Sequence, residues 1–296
     1  GAKKRFLGND HNPEEWEQVY DVLDVWFDSG STHSFVLRDR EDGTPDGIAD
    51  VYMEGTDQHR GWFHSSLLQA CGTKGRAPYK NVVTHGFTLD EKGMKMSKSL
   101  GNTIVPEAVI KQYGADILRL WVAQTDYMVD QRIGPEILKG VADSYRRLRN
   151  TMRFMLGNLA EFDEAEKLDL AELPELERWV LHRLAELDHT VREGYKTFDF
   201  QGVFSAVFNF ATVDLSSFYF DIRKDALYCD GADSQARRAA RTVLDILFHR
   251  LTTWLAPILV FTMEEVWLER FPTDQAGDDS SVHMTDFAQT PADWLD

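Results

Sequence analysis

Three lysines recur at a spacing of three, Lys92, Lys95 and Lys98, inside the stretch "HGFTLDEKGMKMSKSLGN" (residues 85–102). A lysine is a compact point charge on a flexible stem, suited to phosphate oxygens. Ser97 and Ser99 add hydroxyl donors, and Gly93 and Gly101 bracket the segment so that it can swing. Such a loop can close over a triphosphate and neutralise charge developing on a leaving group. Spacing alone favours a solvated lysine-bearing turn over that role. The same holds for "EGTD" (residues 54–57), which by itself reads as a polar turn between a strand and a helix. His33, His59, His64 and His85 suggest a metal cluster. With no HExxH pattern, cysteine partner or carboxylate spacing, no protein-bound metal is expected. A last chemistry-bearing group is basic: residues 139–153, "KGVADSYRRLRNTMR", carry five basic side chains against one Asp.

The elements that must position these residues divide into two styles. "ADVYMEG" (Ala49–Gly55) is a short apolar run opening into Thr56-Asp57, a strand followed by a helix start. Trp62, Phe63, Ser66, Leu67 and Ala70 then share one helical face, with Gly72 as the expected stop. "NVVTHG" (residues 81–86) reads as a second buried strand, and "FTLDEKGMKM" as a short hairpin turning near Gly93. Strand, helix, strand fits a parallel sheet with a crossover helix. From about Pro106 the pattern is helical: "PEAVIKQYG", "ADILRLWVAQ", then a long helix over residues 134–162. In it Val141, Tyr145, Leu148, Met152, Met155 and Leu159 make one buried stripe, Met152 and Met155 as plain core. Arg146, Arg149 and Arg153 fall on an adjacent stripe about 100° round the helix. Further helices are expected over residues 174–195, 200–228 and 234–271, the last kinked or split at Pro257.

The chain has 296 residues, 43% hydrophobic, enough for one large or two ordinary domains and incompatible with a disordered chain. No apolar run approaches 18 residues, so no membrane span is expected, and the start lacks a secretory h-region. Gly1-Ala2 reads as a tag remnant, and the chain as a piece of something longer. Cys71 and Cys229 lie far apart, which argues against a disulfide framework or cysteine zinc site and for a reducing, cytoplasmic compartment. Net charge is −17, but six Asp and no Lys or Arg lie beyond Pro272, so local sign leaves a nucleic-acid partner open.

"KMSKS" at residues 95–99, preceded by "HGFTLDEKGM" and followed by "LGN", resembles the second signature of class I aminoacyl-tRNA synthetases. "DVLDVWFDSGSTH" (residues 21–33) and "MEGTDQHRGWF" (residues 53–63) are similar to the isoleucyl forms of that class. "RNTMRFMLGNL" (residues 149–159) and "FYFDIRKDALY" (residues 218–228) resemble their helical anticodon-binding domain. The resemblance covers nearly the whole chain. It implies the second half of a Rossmann-like, parallel-sheet nucleotide-binding domain followed by an all-α bundle. The implied segments are a return limb from an editing insertion and connector (1–48), the second catalytic half with the KMSKS loop (49–105), a stem-contact region (106–140) and the anticodon-binding domain (141–296).

Roles follow from the same resemblance. Lys98, with Lys95 behind it, stabilises the transition state of adenylate formation; Met96 and Ser97 lie in the ATP-handling loop. Glu54 and Asp57 take the amino acid's ammonium and the adenosine ribose, bonds for which carboxylates are suited. Gly55 lets the backbone approach the nucleotide. His85 and Gly86 are adenine-side contacts. Trp26 and Gln58 shape the isoleucine pocket, which cannot strongly reject valine because one methylene is worth only about 1–3 kcal/mol. Arg146, Arg149 and Arg153 are candidates for tRNA phosphates; Phe218, Tyr219 and Trp267 are all open as base-stacking side chains. ATP with Mg2+, isoleucine and tRNA(Ile) are the implied ligands, and a cytoplasmic monomer is expected. The His-x-Gly-His first signature, the editing domain and the cysteine-rich zinc module are absent from these residues, so the isolated chain is expected to be inactive. A non-catalytic tRNA-binding protein and a valine–tRNA ligase are the alternatives.

Overall fold

The computed structural model describes residues 2–272 and 280–295. The chain divides into two compact units, residues 1–85 and 86–296.

In the first unit, helices α1 (Ala2–Leu7) and α2 (Val25–Gly30) precede strand β1 (Ala49–Gly55), helix α3 (Trp62–Lys74) and strand β2 (Tyr79–His85). β1 and β2 pair in parallel, from Ala49 opposite Tyr79 to Gly55 opposite His85, with α3 as the crossover. That is the expected strand–helix–strand unit. Its core is aromatic: Tyr52 of β1 is buried and stacks on Trp62 with ring centroids 4.2 Å apart. Phe63, Ala70 and Val83 are buried with it. Gly72 does not end α3. The helix runs on to Lys74 and stops at Gly75, whose φ of +72° lets its N–H return to the Cys71 carbonyl. Asp24 opens α2 by accepting from the Trp26 N–H at 2.8 Å. α2 is then pinned to α3 by Trp62 Nε1–H donating to Thr32 Oγ1 at 3.1 Å and Gln69 Nε2–H donating to the Phe27 carbonyl at 2.8 Å.

The second unit opens with β3 (Thr88–Leu89), then α4 (Pro106–Tyr113), α5 (Ala115–Gln124), β4 (Gln131–Arg132) and α6 (Pro135–Asn158). After these come α7 (Glu175–Lys196), α8 (Phe200–Asn209), α9 (Phe220–Cys229), α10 (Gln235–Leu255) and α11 (Val260–Arg270). The expected hairpin is only partly formed: a turn through Gly93 and one antiparallel bridge, Leu89 to Lys95. The regular partner of β3 is instead β4, in parallel. α6 buries Val141, Leu148, Met152 and Met155, with Leu159 just beyond its end, as its periodicity requires.

α8 and α9 are continuous through widened turns at Phe210–Tyr219. There Ser216 and Ser217 hydroxyls donate to the carbonyls five residues back, Ala211 and Thr212, each at 2.8 Å. By length and composition alone this 30-residue helix could cross a membrane, a test that a buried core helix also meets, and half of its most apolar stretch is buried. Its buried side chains, among them Val203, Phe210, Leu215 and Tyr219, belong to one core with α6, α7 and α10. The last predicted helix splits at Pro257, which has no N–H to continue α10.

Candidate functional site

The first unit gathers six of the expected residues. β1 ends in Glu54-Gly55, and β2 ends opposite it in His85. Glu54 Oε2 lies 4.0 Å from His85 Nε2 and accepts from the Gly55 N–H at 3.2 Å. A Cβ built on Gly55 would stand 2.5 Å from Asp57 Oδ1, so the absent side chain is what admits that carboxylate. Asp57 Oδ2 accepts from Gln58 Nε2 at 2.9 Å, while Gln58 Oε1 accepts from the Trp62 N–H, which opens α3, at 3.0 Å. Gly61 brings the last member in: a Cβ there would meet Gln58 Oε1 at 2.7 Å and Trp26 Cη2 at 2.9 Å. Trp26 therefore lies against the same backbone as Gln58, with 43% of its surface exposed, a wall rather than a core residue. Carboxylates, an imidazole and an apolar plate thus surround the carboxyl ends of two parallel strands, where open α/β sheets take ligands.

The histidines do not form a cluster. His33 is buried with Nδ1 2.9 Å from the Gly30 carbonyl, and His59 packs its ring edge against Phe63. Among the described residues, no three His, Cys, Asp or Glu side chains are grouped for a metal ion.

The second unit holds the lysine loop. Gly86 begins it, its N–H donating to the Tyr127 carbonyl at 3.0 Å; a Cβ there would fall 2.2 Å from the Val129 backbone. Gly93 (φ +79°) and Gly101 (φ +65°) adopt backbone that favours glycine. Lys92, Lys95 and Lys98 are all exposed, whereas Met96 turns inward against the apolar core of its unit with Ile104. Ser97 is half-buried and its hydroxyl caps the short turn Lys98–Leu100, accepting from the Leu100 N–H at 3.3 Å. Two residues to which the sequence reading gave no role organise the loop. Asp90 Oδ1 accepts from the N–H groups of Lys92 (3.0 Å) and Met94 (2.8 Å), and Asp90 Oδ2 accepts from Asn102 Nδ2 (2.9 Å). The Asn102 amide, with those backbone donors, holds the Asp90 carboxyl below its ordinary value. The signal was present: Asp followed three residues later by Gly is a turn signature in which the Asp side chain takes the turn's N–H groups.

On α6, Arg146, Arg149 and Arg153 are exposed on one face. Arg146 is paired with Asp143, one turn earlier, at 2.7 Å. Arg147 lies off the stripe, its guanidinium 5.2 Å from the Phe208 ring. The three arginines line a groove of about 900 Å3 whose other wall, α11, carries Glu265 and Glu269. Of the candidate stacking aromatics, Tyr219 and Trp267 are buried and so presented to no ligand. Phe218 is 44% exposed, edge-on to Trp179 at 5.3 Å.

Residues 2–134 match the model for "tRNA synthetases class I (I, L, M and V)", and residues 177–296 that for "anticodon-binding domain of tRNA ligase". The isoleucine–tRNA ligase of Ruegeria pomeroyi is 82% identical over 99% of this chain, and that of Mesorhizobium japonicum 61% over 99%. The chain spans only 30% and 29% of those two proteins. Among solved structures, the Agrobacterium radiobacter K84 agnB2 LeuRS–tRNA–LeuAMS complex matches 94% of this chain and 34% of its own, at TM-score 0.70 and 20% identity. A Mycobacterium tuberculosis methionyl-tRNA synthetase bound by methionyl-adenylate matches 88% and 52%, at 0.67 and 19%. At such identities these two speak for the fold alone. The two family models, in this order, and relatives of one name across the whole chain agree: this chain is similar throughout to isoleucine–tRNA ligases, with a class I aminoacyl-tRNA synthetase part followed by an anticodon-binding part.

Proposed function

We propose that the full-length protein containing this chain is an isoleucine–tRNA ligase. It joins isoleucine to AMP and then passes the isoleucyl group to the 3′ end of tRNA(Ile). In the first step a carboxylate oxygen of isoleucine attacks the α-phosphorus of ATP. The bond from that phosphorus to the bridging oxygen breaks, and its electron pair leaves with pyrophosphate. Mg2+ accompanies ATP as part of the substrate.

The observation that carries this reading is the grouping around Gly55 and Gly61: Glu54, Asp57 and His85 at paired strand ends, with Trp26 and Gln58 on the neighbouring backbone. Glu54 suits an ammonium, Asp57 ribose hydroxyls, and His85 with Gly86 the adenine side. Trp26 supplies apolar surface for a branched side chain. Lys98 and Lys95 offer exposed ammonium groups to charge developing on the phosphates, with Met96 and Ser97 fixing the backbone between them. Residues 1–48 act as a connector, 49–105 as the catalytic portion, 106–140 as the stem-contact region and 141–296 as the anticodon-binding region. The protein acts in the cytoplasm as a monomer.

The test is isoleucine-dependent ATP–pyrophosphate exchange. The full-length protein catalyses it, and this chain alone does not. Lys98→Ala lowers kcat of the full-length protein by about 10²–10³, the usual cost of one transition-state donor, with little change in KM for isoleucine. A rise in KM alone would make the loop a binding element. Exchange with valine in place of isoleucine would mean a valine–tRNA ligase, and tRNA binding without exchange a non-catalytic tRNA-binding protein.

A further inference from the structure

We infer that Asp90 and Asn102 form a clasp that positions the lysine loop for adenylate formation. This rests on the ligase reading above and goes beyond it, since that reading gives neither residue a role at the reacting groups. Their place is mechanical, and it is set by hydrogen-bond polarity.

Asp90 offers only acceptors, and all its contacts are donors. Oδ1 takes the N–H groups of Lys92 and Met94, and Oδ2 takes Asn102 Nδ2–H at 2.9 Å. Asn102 uses both ends of its amide. Nδ2 donates to Asp90 and to the Lys95 carbonyl at 3.3 Å, while Oδ1 accepts from the Ser97 N–H at 3.0 Å. One side chain thus grips the backbone of Lys95 and of the residue just before Lys98. The other holds the turn on which Lys92 stands, a turn closed by Asp90 N–H to the Met94 carbonyl at 2.9 Å. The clasp spends its bonds on backbone, so the three ammonium groups remain exposed for a ligand. Its bond pattern has one direction: carboxylate at 90, amide at 102.

That direction supplies the test. In Asp90→Asn, one amide oxygen can still serve the turn, but the NH2 then faces the NH2 of Asn102. If Asn102 flips to accept, its NH2 faces the Ser97 N–H instead. In Asn102→Asp, two carboxylates confront each other at the 2.9 Å contact. Exchanging both restores the pattern: Asn at 90 serves the turn with its oxygen and donates to an acid at 102, which accepts from Ser97. Only the long contact to the Lys95 carbonyl is lost.

Steady-state pyrophosphate exchange is measured on the full-length protein, its Lys98→Ala variant, both single variants and the double variant. Each single lowers kcat about tenfold or more, as misplacement of a transition-state group does. KM for isoleucine stays within about twofold, and the double variant recovers most of kcat. A general structural role would not give rescue by the more altered protein. Singles as active as the parent, a loss confined to KM, or a double variant no better than the worse single would each overturn the clasp while the ligase reading stands. A parent without exchange would remove the ligase reading and the clasp with it, whereas a parent indifferent to Lys98→Ala would overturn the clasp while the ligase reading stands.

Discussion

A carboxylate with no exposed surface lies among the apolar side chains of α7. Glu177 accepts from Arg223 Nε at 2.6 Å and Nη2 at 2.7 Å, and from the Tyr219 hydroxyl at 3.1 Å. Burial first, then the Glu177 charge, pushes the Tyr219 phenol well above its ordinary value, so it stays a donor. Removing one member of such a set leaves a buried charge without its counterpart. Glu177→Ala should lower the unfolding free energy by about 3–5 kcal/mol, read from urea titration of the chain. Combining Glu177→Leu with Arg223→Met and Tyr219→Phe should recover most of it. If Glu177→Ala costs no more than a surface substitution, the pair is solvated and this account of the bundle is wrong. Glu177 was legible in principle: it sits three and four residues before Val180 and Leu181, in register with the buried stripe. The candidate site residues could be picked out for another reason, since they cluster within short stretches. Glu54 to Gln58 and Lys95 to Lys98 are local, whereas Trp26 reaches Gly61 only through the packing of α2 on α3.

Elements show the same division between local and distant causes. The periodicity of α6 and the break at Pro257 are properties of contiguous residues, and both are read directly. The end of α3 is not, because Gly72 can sit inside a helix while Gly75 alone takes the left-handed conformation that closes it. The β3–β4 pairing joins residues more than 40 apart, which no local pattern encodes. What holds the α10–α11 break is also remote. α5 offers Asp116 and Arg119, three residues apart and so on one face. Arg119 donates to the carbonyls of Pro257 (2.7 Å) and Ile258 (2.9 Å), in the break that follows α10. Asp116, itself buried, accepts from the Thr262 N–H at 2.7 Å and hydroxyl at 2.6 Å at the start of α11. One helix thus satisfies donors at the start of α11 and acceptors in the break before it. Asp116→Ala should cost about 1–3 kcal/mol, the penalty for stranding buried donors. Hydrogen exchange should quicken first at the N-terminal amides of α11. Uniform quickening through the whole bundle would show that Asp116 supports the core and not this end.

For the whole molecule, the net charge of −17 is a poor guide to partners because opposite signs are segregated. Positive charge is concentrated on the exposed face of a 24-residue helix, about 36 Å long at the α-helical rise. Along it Arg146 is held by Asp143, while Arg149 and Arg153 have no ion pair among the described residues. Across the groove, α11 carries Glu265 and Glu269 beside Arg270, whose charge is already paired with Asp245, so a polyanion is favoured along the outer rim formed by α6. Arg149 and Arg153 are therefore the pair expected to meet tRNA phosphates, with Arg146 contributing little until Asp143 is displaced. Each phosphate neutralised releases condensed counterions, so the logarithm of affinity falls with the logarithm of salt concentration by about 0.7–0.9 per contact. Titrating tRNA(Ile) against the full-length protein from low to moderate salt should give a steep line. Arg149→Gln with Arg153→Gln should flatten it by about 1.4–1.8 units, while Arg146→Gln leaves it nearly unchanged. Parallel lines for the parent and the double variant would mean that the α6 arginines face solvent in the complex and that the phosphate contacts lie elsewhere.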